Sequence, residues 1–160
     1  MSADLVAIEN IVVDSQYLID SGQWSQLADT IFATETAEVT PEADFGFTSW
    51  RGTEAIRSGF DASLVRFEAC MHAVTNLRIE LDGDQATARY YVQGWHWVRQ
   101  DAAAAPASSR NADFLVLGVM HDRLVRQGDG WRVAHRRLTR LGPDVAVGRL
   151  PGFLAGLGEE

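Results

Sequence analysis

Apolar residues recur at helical spacing over the first part of the chain. Leu5, Ile8, Ile11, Val12 and Ile19 share one side of the segment Asp4 to Asp20, with Glu9, Asn10 and Asp14 on the other, which predicts an amphipathic helix. Ser21-Gly22 breaks it, and Trp24, Leu27, Ala28, Ile31 and Phe32 trace a second, shorter stripe. Thr36 to Trp50 is rich in β-branched and aromatic residues and interrupted by Pro41, so it reads as a broken strand or hairpin. Gly52-Thr53 offers the start of a third helix, whose apolar face is Ala55, Ile56, Phe60, Leu64 and Phe67 and which is expected to end near Cys70.

Beyond this point the period changes to two. Leu77, Ile79 and Leu81 alternate with Asn76, Arg78 and Glu80, and Asp82-Gly83-Asp84 supplies a hairpin turn. Residues 84–99 then form a long strand whose even positions Ala86, Ala88, Tyr90 and Val92 should face the helices. Gln100 to Ala112, rich in Ala and Ser, reads as an exposed connection. Strands Asp113 to Arg126 and Trp131 to Leu141 follow, joined by the tight turn Gln127-Gly128-Asp129-Gly130. Three helices followed by long antiparallel strands argue an α+β fold with helices on one face of a sheet. The expected division is a domain over residues 1–141 and a Gly- and Pro-interrupted tail over 142–160. In the tail, Leu150, Phe153, Leu154 and Leu157 need an apolar surface and would cover a pocket or a subunit seam.

Composition narrows the chemistry. At 160 residues, one core is enough. The formal charge of -8 disfavours nucleic acid and anionic membranes as partners. All 14 cationic side chains are arginines, so no lysine is present to form a Schiff base. Cys70 is the single cysteine, which excludes an internal disulfide and multi-thiolate zinc sites and suits a reducing, cytoplasmic location. No run of about 18 apolar residues predicts a membrane span. His96, His121 and His135 match no metal-ligand spacing, so no metal or other cofactor is expected. His121 lies opposite Met120 on its strand and should meet solvent or another subunit. Arg132, Arg136 and Arg140, four residues apart in one strand, should share a face and balance the acidic surface.

Several motifs stand in a fixed order: Ile8 to Asp20 followed by Gly22-Gln23-Trp24, then Trp50-Arg51-Gly52-Thr53-Glu54, His72-Ala73-Val74-Thr75-Asn76, Asp82-Gly83-Asp84 and Gly130-Trp131-Arg132-Val133-Ala134-His135. In that order they resemble the SnoaL-like (polyketide cyclase-like) family of the nuclear transport factor 2-like superfamily, over roughly residues 5 to 140. The resemblance implies a cone-shaped α+β barrel, a curved mixed and mainly antiparallel sheet wrapped around three helices, with a deep pocket open at one end. It also implies a homo-oligomer, a trimer ahead of a dimer. Trp95 and Trp97, on the outer face of the long strand, suit such an interface.

Asp20 and His72 match the Asp-His dyad of the family's scytalone dehydratases, bile acid dehydratases and hexachlorocyclohexane dehydrochlorinases. A neutral imidazole can take a proton from carbon near neutral pH, and a carboxylate beside it fixes its tautomer and stabilises the imidazolium. Each residue also has a plainer reading. Asp20 suits a cap on the turn into the second helix, and His72 a hydrogen-bonded helix-to-strand junction. Were the strand unbroken from residue 72, His72 would lie opposite Leu77, Ile79 and Leu81, so a late start or a bulge is required. Tyr17, Trp50 and Tyr90 are candidate donors to a leaving group, Met120 a candidate pocket wall, and Arg137 a candidate for holding an anionic part of a substrate. The expected function is a cofactor-independent lyase or isomerase of dehydratase type acting on a hydrophobic cyclic small molecule. The alternative is a noncatalytic ligand-binding or assembly module, for which the cone would be filled by side chains.

Overall fold

The computed structural model describes residues 2–33, 36–42, 47–100 and 106–147. Three helices open the chain: α1 (Ala3–Asp20), α2 (Trp24–Thr30) and, after two short strands, α3 (Thr53–Leu64). The strands are β1 (Glu38–Glu42), β2 (Trp50–Arg51), β3 (Phe67–Asp82), β4 (Gln85–Val98), β5 (Phe114–Gln127), β6 (Gly130–Arg140) and β7 (Val145–Ala146). They form one mixed sheet in the order β2-β1-β6-β5-β4-β3, with β7 paired to β5 and only β1 and β6 parallel. The sheet curves around the helices without closing, as a cone open at its edges. Pro41 sits in β1 beyond the two residues paired with β2, where its missing N–H costs no ladder bond on that side.

The helices end where the chain supplies a stop. Gly22, with φ +69°, takes the left-handed conformation that terminates α1, and the Gln23 N–H caps the Leu18 carbonyl at 2.9 Å. Ile8 and Val12 from α1, Leu27 and Phe32 around α2, and Ile56 from α3 are fully or almost fully buried. They meet Ala86, Ala88, Tyr90 and Val92, the even face of β4, together with Leu124, Trp131 and Val133 from the next two strands.

Of three register shifts in the sheet, one lies at the start of β3 between Phe67 and Ala69, and the other two decide which residues face inward further along. In β3 the register against β4 shifts between Thr75 and Arg78, and Asn76 there has φ +56°. Before the bulge the even positions, His72 among them, share the inner face with Gly94. After it the odd positions Ile79 and Leu81 pair with the buried Ala88 and Ala86. The third helix therefore ends earlier than expected, at Leu64 rather than near Cys70, and β3 already begins at Phe67. His72 stands inside a strand, and the bulge alone reconciles it with the downstream alternation.

The other of these two, between Arg123 and Leu124 of β5, leaves Ala134 of β6 without a directly paired partner. Trp131 and Val133 point inward before it and Arg136 after it, so the expected single face of Arg132, Arg136 and Arg140 is split. Arg136 is buried rather than placed on the acidic surface. Its guanidinium forks onto Asp122 at 2.9 and 2.7 Å and reaches Ser15 Oγ at 3.2 Å, while Tyr90 donates to the same carboxylate at 3.0 Å. Of the expected tail, Val145–Ala146 joins the sheet and Asp144 pairs with Arg140 at 2.6 Å. Leu150, Phe153, Leu154 and Leu157 lie outside the described residues.

Candidate active site

The left-handed turn at Gly22 leaves Asp20 as the last residue of α1, where the helix carbonyls disfavour a negative charge. The offset comes from β3. Asp20 Oδ2 accepts the backbone N–H of His72 at 2.8 Å, and Oδ1 lies 2.6 Å from His72 Nδ1. A carboxylate only accepts, so the shared proton is carried by Nδ1, and Nε2 keeps a bare lone pair. The His72 ring packs on Gly94. A Cβ at that position would lie 3.0 Å from both Cδ2 and Nε2 of His72, so glycine lets the imidazole pack closely on β4 and a side chain there would push the ring aside.

His72 borders a cavity of about 430 Å³ between the helices and the inner sheet face. Its wall is apolar where Trp50, Phe60, Val92, Met120 and Leu138 meet it. Trp50 stacks on Phe47 at 4.2 Å and meets the edge of Phe60 at 5.1 Å, lying across Gly59 where no side chain would fit. Trp50 and Met120, both expected in the pocket, line it.

Three other expectations are overturned by placement. Tyr17 points away from the cavity and is 66% exposed. It lies on the solvent side of α1, one residue past the buried Gln16 and so about 100° around the helix from it. Tyr90 faces inward but below the cavity, fully buried, with its hydroxyl committed to Asp122. Arg137 lies on the outer sheet face, because the β6 bulge turns odd positions outward beyond it, and stands 3.7 Å from Glu42.

Several polar residues of the pocket carry no expectation from the sequence, His96 and Gln16 together with Ser63, Arg66, Thr139 and Asp144. His96 continues the even face of β4 beyond Val92 and Gly94, which is the signal that identifies it. Its Nδ1 donates to the Gly94 carbonyl at 2.9 Å, its ring stacks on Phe114 at 4.7 Å, and it meets His72 edge to face at 5.4 Å. Burial, with His72 beside it, holds its pKa down at about 3, so the ring is neutral and Nε2 is an acceptor. Gln16 lies one helical turn before Asp20, on the same face of α1. Ser15 Oγ donates to the Val12 carbonyl at 2.8 Å, so it can only accept from Gln16, which must present its Nε2 at 3.0 Å. Gln16 Oε1 is thereby left buried and without a hydrogen bond among the described residues. The pocket thus offers three acceptor atoms, His72 Nε2, His96 Nε2 and Gln16 Oε1, while Ser63, Arg66, Thr139, Arg140 and Asp144 also line it.

Cys70, beside Asp20, has its thiol pKa pushed up to about 12 by burial, with the carboxylate adding to it, so it is no nucleophile at neutral pH. Among the described residues, no group of three or more His, Cys, Asp or Glu side chains comes together as a metal site. No helix among the described residues is long and apolar enough to cross a membrane.

A family model for the SnoaL-like domain matches residues 1–137. The chain belongs to the SnoaL-like family. Solved structures with this SnoaL-like fold include a hexachlorocyclohexane dehydrochlorinase of LinA type 3 from Novosphingobium barchaimii, 20% identical, with a TM-score of 0.72 over 93% of this chain and 94% of that one. A candidate scytalone dehydratase from Novosphingobium aromaticivorans is 22% identical, with a TM-score of 0.71 over 92% and 95%. An NTF2-like protein with a cystatin-like fold from the same species is 19% identical, with a TM-score of 0.67 over 98% and 90%. At these identities the likeness establishes the cone fold of the SnoaL-like chain. No curated protein matches it.

Proposed function

We propose that this SnoaL-like protein is a cofactor-independent lyase of dehydratase type, with His72 as general base and Asp20 as the residue that orients it. The observation that carries the reading is the double grip of Asp20 on His72, which leaves Nε2 bare beside an unfilled apolar cavity. A cone packed with side chains would have favoured a scaffold or assembly module instead.

The reaction begins with transfer of a proton from a substrate carbon to His72 Nε2. The electrons of that C–H bond form the new double bond as the leaving group departs from the adjacent carbon. Asp20, 2.6 Å from Nδ1, stabilises the imidazolium as it forms, and the apolar wall strengthens that pairing by excluding water. Tyr17 is turned outward and the Tyr90 hydroxyl is bound to Asp122, so neither supplies a proton. The Nε2 proton itself then passes to a departing hydroxyl, which leaves as water and restores the neutral ring. Where the carbon acid sits beside a carbonyl and no leaving group follows, return of the proton at another carbon gives isomerisation. Gln16 Oε1 and His96 Nε2 suit a hydrophobic cyclic substrate that carries hydroxyl groups, since each accepts a hydrogen bond and neither can donate one from that atom.

The test is deuterium uptake from solvent and elimination across a panel of cyclic β-hydroxy ketones, comparing wild type with His72→Gln and Asp20→Asn. Loss of a general base typically costs on the order of 10²–10⁴ in rate, so His72→Gln is expected to lose exchange and turnover together. Asp20→Asn, which weakens tautomer control, is expected to lose less. Equal exchange in wild type and His72→Gln sinks the mechanism.

A homo-oligomer, with a trimer ahead of a dimer, belongs to the same reading. It is supported by exposed Met71 and Tyr91 on the outer sheet face, close to Trp95. Sedimentation velocity is expected to give a species larger than the 17.6 kDa chain, and a monomer at micromolar concentration removes this part.

A further inference from the structure

The outer face of the sheet gathers positive charge in a chain whose net charge is -8. Arg78, Arg89, His121 and Arg137 are direct partners across β3, β4, β5 and β6, and form one continuous row. A second row, two residues along the strands, holds Glu80, Thr87, Arg123 and His135. Both rows line one open groove.

Like charges directly opposite each other across a sheet are destabilising, and strands lie only about 4.8 Å apart, so such a row is retained at a cost unless something else offsets it. The surrounding chain does not supply the offset. Arg137 approaches Glu42 at 3.7 Å, and His135 Nε2 lies 3.1 Å from the Thr40 hydroxyl. Arg78, Arg89 and Arg123 make no hydrogen bond or ion pair with any described residue. Arg51, Arg57, Arg110, Arg126, Arg136 and Arg140, by contrast, each hold a carboxylate. In an acid-rich protein, three arginines in one groove without a partner among the described residues point to a counter-charge from outside.

We propose that this groove is an anion site, on the opposite face of the sheet from the catalytic cavity, that takes a phosphate group borne by a small molecule. Four guanidinium groups against the carboxylates of Glu80 and Glu42 leave an excess of two positive charges, which a phosphate dianion balances. The planar guanidinium forks give paired N–H donors to its oxygens, and the Thr87 hydroxyl stands between Arg89 and Arg123 along β4 and across to β5. His121, between Arg89 and Arg137, serves as the reporter. Partial burial and then the two arginines hold its pKa below the ordinary histidine value, and a bound anion reverses the electrostatic part of that shift. The site rests on the end of the outer face toward the β3–β4 turn, on the far side of Tyr91 from Trp95, so it leaves the Met71, Tyr91 and Trp95 seam to a second subunit and is independent of the reading of the pocket.

Calorimetric titration of the intact protein at low salt with inorganic phosphate and pyrophosphate, with citrate in parallel, tests it. The NMR titration of His121 is followed with and without pyrophosphate. Expected are saturable binding of one pyrophosphate per chain and an upward move of the His121 pKa. The Arg89→Gln, Arg123→Gln double variant should lose at least about tenfold in affinity, the scale of one charge-assisted contact. Arg57→Gln, on α3, controls for overall charge and should bind as wild type does. Because Arg89 and Arg123 hold no partner among the described residues and repel their neighbours, thermal melting of the double variant should lie at or above that of wild type. Absence of saturation, unchanged affinity in the double variant, or a preference for citrate overturns the proposal. So does an oligomer in which this face is closed to pyrophosphate.

Discussion

His96 and His72 meet edge to face at 5.4 Å, yet their partners ask opposite things of them. His72 has a carboxylate on Nδ1, which fixes the tautomer and turns Nε2 to the cavity as an acceptor. His96 has a carbonyl on Nδ1, two aromatic rings against it and no carboxylate, so burial keeps it neutral down to about pH 3. The linkage has a definite sign. Between an unfolded value near 6.5 and the folded value of about 3, the unfolded chain binds a proton at His96 and the folded chain does not. The stability His96 contributes is fully present above about pH 6.5 and is lost as pH falls through that window, up to an order of a few kcal/mol. Replacing His96 by Phe, which suits the stack with Phe67 and Phe114 and does not titrate, should flatten stability against pH between 6.5 and 5, above the main carboxylate range. Urea denaturation at closely spaced pH values measures it. Parallel slopes for wild type and variant would mean that the ring is hydrated and titrates normally.

At the scale of the element, a single residue in a strand decides whether the dyad faces the pocket. Asn76 carries φ +56° at the β3 bulge, a conformation that Asn and Gly accept and β-branched residues resist. Asn76→Gly should keep the fold within a few tenths of a kcal/mol, while Asn76→Val should cost on the order of 1–2 kcal/mol. Asn76→Val should also reduce catalytic exchange by more than its unfolded fraction explains, because a register that slips turns His72 outward. Denaturation midpoints and exchange rates on the same samples separate the two effects. The need for this bulge is legible in the sequence, since His72 and the Leu77, Ile79, Leu81 alternation conflict without one. The β6 bulge is not, because Ala134 differs in no way from an ordinary strand residue. Missing it places Arg136 on the surface and Arg137 in the pocket, whereas Arg136 is buried on Asp122 outside the cavity and Arg137 faces outward. The end of α3 is equally hidden, as Phe67 fits a helical stripe and a strand alike. The helices and the β4 inner face follow from periodicity, and the pairing of Asp20 with His72 from the family resemblance, whereas Gln16 and His96 emerge only once neighbouring strands and α1 are brought together.

The molecule as a whole is tied at one buried point that no single element accounts for. Asp122 of β5 accepts from Arg136 of β6 and Tyr90 of β4, and Arg136 reaches Ser15 of α1, so one polar cluster joins three strands to the first helix. Burial alone works against the Arg136 charge, and the Asp122 carboxylate more than offsets it. The two side chains are almost completely enclosed, at 1% and 0% exposure, so neither charge has water to fall back on. Removing one partner strands the other, which costs about 3–5 kcal/mol, whereas replacing both by apolar residues of similar volume is often neutral or better. Asp122→Leu is therefore expected to lower the unfolding free energy by that amount, and Asp122→Leu with Arg136→Met to recover most of it. The recovery has a limit set by the rest of the cluster. Tyr90 then lacks its acceptor, and Ser15 Oγ loses one of its donors, so the double variant should remain below wild type by about one hydrogen bond, roughly 1 kcal/mol. Adding Tyr90→Phe should remove that residue of cost. Urea unfolding of the single, double and triple variants gives the three differences. Equal losses in the single and double variants would show that the ion pair, rather than the stranded charge, carries the stability. The cavity lies above this cluster and does not include it, so solvent exchange at the substrate carbon should survive in any variant that folds.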